Sequence, residues 1–219
     1  MQIRDFLKIF GALILFHLAV IYREESGQLL WLSKPLLLAS LLLFIISKIR
    51  EGAVSLKTIA GALFFSLAGD VALMLEGQAS FLIGMGLFAV AHIFYTAYYW
   101  STIKLSFNLT ASFISLGLAI LSLFALINSI EIPADLSLPI YIYFGIITLH
   151  LILSANAFWL KKINFWPLLG ILLFTFSDWW IAFAKFGGGL EEEWHNRIII
   201  MSSYAVGQGA IALGIASKD

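Results

Sequence analysis

Residues 32–49 contain Ser33-Lys34-Pro35 followed by Leu36-Leu37-Leu38-Ala39-Ser40-Leu41-Leu42-Leu43-Phe44-Ile45-Ile46, closing on Ser47-Lys48-Ile49. The central run is uncharged and too apolar for the surface of a water-soluble domain. A helix that crosses a bilayer needs roughly 20 mainly apolar residues. Ser33 before Lys34-Pro35 predicts a helix start, because the missing N–H of a proline costs nothing in a first turn.

The same reading extends over the whole chain. Segments of this kind cover 5–22, 32–49, 56–75, 80–101, 107–130, 137–160, 164–186 and 197–216. The expected fold class is therefore all-α, a polytopic membrane bundle of eight transmembrane helices. The connections are short, so the chain reads as a single domain over 1–219 with sequence neighbours antiparallel in space. Glu76-Gly77-Gln78 and Ile130-Glu131-Ile132-Pro133 read as turns; Asn164-Phe165-Trp166-Pro167 opens the seventh span and Gly187-Gly188-Gly189 closes it. The first span, with Arg4 and Lys8 ahead of an apolar run, has features of a signal peptide. Ile21-Tyr22-Arg23-Glu24-Glu25 is no small-residue cleavage site, so it is read as a retained helix.

Composition agrees. Of 219 residues, 61% are hydrophobic and 12% charged, against about 25% charged in soluble domains. Thirteen basic and thirteen acidic residues leave no net charge, so no basic surface for nucleic acid is expected. The absence of cysteine excludes disulfides, thiolate metal sites and cysteine nucleophiles. Lysine and arginine are biased: nine (Arg4, Lys8, Lys48, Arg50, Lys57, Lys104, Lys161, Lys162, Lys218) fall at the termini and even-numbered connections, against four (Arg23, Lys34, Lys185, Arg197) opposite. This bias predicts cytoplasmic N and C termini.

Two aspartates break the apolar pattern, Asp70 in Ser66-Leu67-Ala68-Gly69-Asp70 and Asp178 in Phe176-Ser177-Asp178-Trp179-Trp180. A buried ionisable group costs about 2.5–3.5 kcal/mol on insertion scales, and such residues usually mark function. Asp70 precedes Glu76 by six residues and Asp178 precedes Lys185 by seven. Both are thus expected roughly 9–11 Å below the same membrane face and could line one cavity. There, one carboxyl can keep its proton while the other ionises, since desolvation and like charge both oppose a second negative charge. The alternative is that each aspartate bonds a neighbouring helix as polar glue.

Other polar side chains accompany them. His92, Tyr95 and Tyr99 share a face of the fourth span, and Tyr204 and Gln208 share one in the eighth. Tyr143, His150 and Asn156 stand in the sixth. His92 is read equally as a proton carrier or metal ligand and as a core histidine bonded to a carbonyl. Tyr204 and Gln208 read as orienting groups or helix–helix bonds. His17 and His195 lie near span ends. Lys34 can snorkel to water or meet a lipid phosphate. Gly84-Met85-Gly86 reads as close helix packing rather than a phosphate cradle. Gly61…Ser66…Gly69-Asp70 and Gly170…Thr175…Ser177-Asp178 form a weak internal echo between spans of the same direction, a possible parallel repeat. No HExxH or GxSxG motif is present.

Taken in order, these motifs resemble the YhhN-like family of integral membrane lysoplasmalogenases. The resemblance is carried by Lys34-Pro35, Ser66-x-x-Gly69-Asp70 with Leu73-Met74, Phe81-x-x-Gly84 with Ala91-His92 and Tyr95, Pro139 with Tyr143, Phe176-Ser177-Asp178, and Tyr204-x-x-x-Gln208. The Trp179-Trp180 pair departs from it, since smaller or aliphatic residues are expected after the aspartate. The resemblance implies hydrolysis of the vinyl ether of a lysophospholipid to a fatty aldehyde and a glycerophospho-ethanolamine or -choline. It implies Asp70 and Asp178 as the acid–base pair, with Lys34, Ser66, His92, Tyr143, Ser177, Tyr204 and Gln208 orienting substrate, water or carboxyls. No metal and no organic cofactor is called for. The partners expected are the lysophospholipid and the bilayer, and compact loops favour a bacterial cytoplasmic (inner) membrane. Two other readings remain at this level: a small proton-coupled transporter or channel using the paired aspartates, and a metal-dependent lipid amidase or hydrolase with His92, Asp70 and Asp178 as ligands.

Overall fold

The structure, a computed structural model, describes residues 1–23, 27–187 and 189–217. Glu24, Glu25, Gly188 and Lys218, used above in reading loops and charge, lie outside the described residues. Among those described, there are no strands and there are eight α-helices: α1 Ile3–Arg23, α2 Gly27–Arg50, α3 Lys57–Ala72, α4 Gln78–Ile103, α5 Leu109–Ser129, α6 Ala134–Trp159, α7 Phe165–Lys185 and α8 Glu193–Ala216. A 3-10 turn, Val54–Leu56, leads into α3. With that turn counted into α3, all eight are long and apolar enough to cross a membrane.

Local chemistry accounts for several ends. Asn164 caps α7 by accepting a hydrogen bond from the Trp166 N–H at 3.1 Å, and Asn108 caps α5 through the Ala111 N–H at 2.9 Å. Both satisfy amides that a helix start leaves unpaired. Gly77 takes φ +103° in the α3–α4 turn, a conformation open to glycine at little cost.

Two boundaries differ from the sequence reading. Helix α2 begins at Gly27, so Ser33 is not its cap and Pro35 stands inside the helix. The Ser33 hydroxyl instead pairs with His17 Nδ1 of α1 at 2.8 Å, and Lys34 lies two turns deep rather than at a helix start. Helix α3 ends at Ala72. The apolar run continues to Leu75, but Met74 N–H to Val71 O and Leu75 N–H to Ala72 O close it as tight turns, both at 3.2 Å. Hydropathy does not register that change, because the residues beyond the end are as apolar as those before it.

Helices adjacent in sequence pack together, except α4 and α5. Helix α4 lies between α3 and α6, while α5 sits on the outside against α6. Helix α8 is the most buried of the eight and packs against α7, α1 and α2. The α7–α8 crossing is set by Gly170 and Gly207. A Cβ on Gly170 would come within 2.6 Å of the Gly207 carbonyl oxygen, and a Cβ on Gly207 within 2.9 Å of the Gly170 oxygen. Without a hydrophobic force between helices in lipid, such backbone contact supplies the attraction. The packed pairs α3–α4 and α7–α8 are those that carry the internal echo.

Candidate functional site

The two aspartates occupy different surroundings. Asp70 is in the last turn of α3, its side chain 3% exposed. Its Oδ1 is 3.4 Å from Lys34 Nζ, and its Oδ2 accepts the Tyr204 hydroxyl at 2.8 Å. Lys34 Nζ also donates to the Asp70 backbone oxygen at 3.3 Å. That carbonyl is among the last four of its helix, which have no partner within the helix. A single ammonium therefore serves the carboxylate and the helix end together, a placement the helix dipole also favours. Lys34 is 17% exposed; rather than reaching for water it is held by Asp70.

Gln208, one turn beyond Tyr204, extends this cluster. It accepts the Tyr95 hydroxyl at 2.5 Å and donates to Ser66 Oγ at 3.1 Å. Residues from α2, α3 and α8 thus meet at Asp70, and residues from α3, α4 and α8 meet one turn away at Gln208. His17 is buried. His195 lies against Trp194 with the rings tilted by 36° and their centroids 3.6 Å apart.

Asp178 of α7 is 6% exposed. Its Oδ2 accepts the Tyr143 hydroxyl at 2.9 Å and lies 3.2 Å from His92 Nε2. Behind it, His92 Nδ1 and His150 Nδ1 are 2.8 Å apart. His92 stacks on Phe174 at 4.4 Å, and His150 on Tyr95 at 5.3 Å. His92 is thus bonded to a histidine and an aspartate, not to a carbonyl. Asp178 Oδ1 has no hydrogen-bond partner among the described residues.

Asp178 and Tyr143 line an apolar cleft between α4, α5, α6 and α7, with Phe81, Met85, Phe88, Leu126, Ile140 and Trp179 among its walls. The walls come from the half of the bundle that carries the α3–α4 and α7–α8 connections. An outer groove between α5, α6 and α7 shares Phe144, Ile147, Thr175 and Trp179 with it. Trp179 bridges this region by donating its indole N–H to the Ser122 oxygen at 3.2 Å. Trp180 turns to α8, donating to Asn196 Oδ1 at 3.0 Å. The departure from the family pattern is therefore one cleft wall and one helix tie.

The expectation of a shared cavity meets a division. Asp70 is not among the residues lining this cleft. The rings of Phe88, Phe174 and Tyr204 pack together with centroids 5.4–6.0 Å apart. Phe88 lines the cleft while Tyr204 holds Asp70, so the trio links the two centres. Of the other residues singled out, Ser177 donates to the Ile200 oxygen at 3.1 Å and ties α7 to α8 without reaching either carboxylate. Asn156 donates to Ser112 Oγ and accepts the Asn108 N–H, joining α6 to α5. His150 and Tyr95 are closer to the centre than their place in the sequence suggested; the shared face of His92, Tyr95 and Tyr99 was the available signal. Among the described residues, no group of three or more His, Cys, Asp or Glu side chains is arranged to hold a metal ion.

An eight-helix membrane bundle with two buried aspartate centres, one of them open to an apolar cleft, defines a multi-pass membrane protein with an intramembrane polar site. Comparison with family models narrows the class: residues 29–215 match the YhhN family, and the chain belongs to it. No curated protein and no solved structure matches the chain.

Proposed function

We propose that the protein hydrolyses the vinyl ether bond of lysoplasmalogens, releasing a fatty aldehyde and a glycerophospho-ethanolamine or -choline. The observation that carries the reading is the contrast between the carboxylates. Both oxygens of Asp70 are engaged by Lys34 and Tyr204. Asp178 keeps Oδ1 without a partner among the described residues, at the wall of an apolar cleft. The apolar walls of that cleft suit an alkenyl chain lying beside the carboxyl group.

The chemistry follows from a proton on Oδ1. With Tyr143 and His92 both bonded to Oδ2, Oδ1 is the oxygen left to carry it. Transfer of that proton to the vinyl carbon distal to the ether oxygen gives an oxocarbenium centre, and the new carboxylate offsets its charge. Water adds to the cation and returns a proton to Asp178. The resulting hemiacetal collapses as its hydroxyl proton passes to the ether oxygen, yielding aldehyde and glycerol hydroxyl. One water is consumed and no net proton.

In this scheme Asp70 is a positioning residue. Its ion pair with Lys34 and its bond to Tyr204 hold the α2–α3–α8 side of the site. Lys34, engaged with Asp70, is not assigned to the phosphate.

The test is aldehyde release from a purified detergent-solubilised protein given a lysoplasmalogen. The wild type is expected to release aldehyde and Asp178→Asn to lose the activity. No release by a folded wild type, or near-normal rates in Asp178→Asn, removes the proposal.

A further inference from the structure

Asp178 faces an apolar cleft on one side and two histidines on the other. The opposite side has a continuous line of proton-bearing atoms. Asp178 Oδ2 lies 3.2 Å from His92 Nε2, and His92 Nδ1 lies 2.8 Å from His150 Nδ1. Both imidazoles are fully buried. Their orientations are held by ring contacts: His92 on Phe174, and His150 against Tyr95 and, at 5.5 Å, Tyr99. At the far end of the line, His150 Nε2 and the Tyr99 hydroxyl are buried with no hydrogen-bond partner among the described residues. Buried polar atoms left this way are uncommon and ask for a reason.

We propose that His92 and His150 form a two-step proton wire that loads Asp178 with its proton, before any substrate is bound, from the side away from the cleft. This use of the wire rests on the reading of Asp178 as the proton donor; the geometry of the wire does not.

The two Nδ1 atoms at 2.8 Å must share one proton, so the pair has two neutral arrangements. In the first, His150 Nδ1–H donates to His92 Nδ1, His92 Nε2–H donates to Asp178 Oδ2, and Asp178 is ionised. In the second, a proton has arrived on His150 Nε2. The Nδ1 proton of His150 has moved to His92 Nδ1, and the Nε2 proton of His92 has moved to Asp178 Oδ2; a half-turn of the carboxyl group about Cβ–Cγ then exchanges its two oxygens and presents the protonated one to the cleft. One proton enters at Nε2 and one appears on the carboxyl, with both imidazoles neutral before and after. The ionisable and phenolic groups around the path are Tyr95 and Tyr99 on α4, Tyr143 on α6, Tyr204 on α8 and the Lys34–Asp70 pair. Only Tyr143 shares the oxygen that receives the proton.

The wire also has a direction. His150 lies seven residues beyond Tyr143 in α6, and Tyr99 seven beyond His92 in α4. These two helices run parallel, Gln78 pairing with Asp135 at their starts as His92 pairs with His150 further along. The far end of the wire, at His150 Nε2, therefore lies toward the end of the bundle opposite the cleft.

The experiment follows proton arrival at Asp178 without substrate. The protein in an alkyl detergent is given a pH jump. The carboxylic acid C=O band, identified by its loss in Asp178→Asn, is followed by time-resolved infrared spectroscopy. In His150→Gln the amide N–H can still donate to His92 Nδ1 and hold its tautomer, but cannot pass a proton on. The band is expected to appear about tenfold or more slowly than in wild type, to the same final amplitude. Free imidazole is expected to restore the rate in His150→Gly. An unchanged rate in folded His150→Gln overturns the wire. Should that variant not fold, the wild type decides in H2O–D2O mixtures: a curved dependence of rate on deuterium fraction reports more than one proton in flight, and a linear one overturns the proposal. If the wild type releases no aldehyde but His150→Gln still slows the band, the wire stands and the lipid-hydrolase reading falls. If aldehyde is released and the rates are equal, the wire alone falls.

Discussion

Replacing Asp70 by asparagine removes a buried negative charge while nearly preserving its shape. Tyr204 keeps an oxygen to donate to, and Lys34 keeps its bond to the backbone carbonyl of residue 70. The ammonium loses its counterion. Breaking a buried pair from one side costs about 3–5 kcal/mol. Lys34 is 17% exposed and retains one acceptor, which puts Asp70→Asn at the lower end, about 3 kcal/mol. The reverse change, Lys34→Met, strands the carboxylate, whose side chain is only 3% exposed, and is expected to cost about 4–5 kcal/mol. Combining them removes both charges, and the double variant is expected to recover about 2 kcal/mol relative to the sum of the singles. Reversible unfolding in mixed detergent and dodecyl sulfate micelles measures all four proteins. Strictly additive losses would show that the pair is not coupled, and the account of Lys34 as the partner of Asp70 would be wrong.

Further outcomes follow from the same contacts. Tyr143→Phe deletes a bond to the Asp178 carboxylate at 2.9 Å; a hydrogen bond to a charged group contributes about 1.5–3 kcal/mol, so aldehyde release is expected to fall by roughly ten- to a hundredfold, with unfolding in mixed micelles as the check on folding. Gly207→Ala places a methyl against the α7 backbone and is expected to destabilise by about 1–3 kcal/mol. Gly145→Ala, where nothing lies within 4 Å of the new Cβ, is expected to be neutral or stabilising by up to about 1 kcal/mol; equal effects at the two glycines would refute the close crossing. Trp179→Ala opens the wall shared by the cleft and the outer groove, and a series of lysoplasmalogens of increasing chain length is expected to show the optimum moving to longer chains; an unmoved optimum places the chain elsewhere.

Much of this architecture was legible in the chain because hydropathy is local. A span of apolar residues must satisfy its own backbone bonds in lipid and therefore becomes a helix, whichever helices surround it. The two aspartates were legible for the same reason, since a charge in an apolar run is costly wherever the run ends up. Ends set by side-chain caps, such as Asn164, were also visible. The end of α3 was not, because Leu73–Leu75 are as apolar as the helix before them. Nor was the start of α2, where Ser33 and Pro35 have the form of a start signal but serve a contact with α1 and a helix interior.

Partnership was decided by tertiary structure. Tyr204 and Asp70 are 134 residues apart in sequence, Gln208 and Ser66 142, and His92 and His150 58. Whether a carboxylate meets a lysine, a tyrosine or a histidine depends on which helix faces which, and that is set by the fit of surfaces such as Gly170 against Gly207. The chain alone therefore established eight apolar spans and two charges too expensive to be incidental. Only their packing made Asp70 a saturated ion-pair centre and left Asp178 with a free oxygen beside a cleft, because side-chain direction in a bundle is fixed by helix rotation and crossing, and no local pattern encodes those.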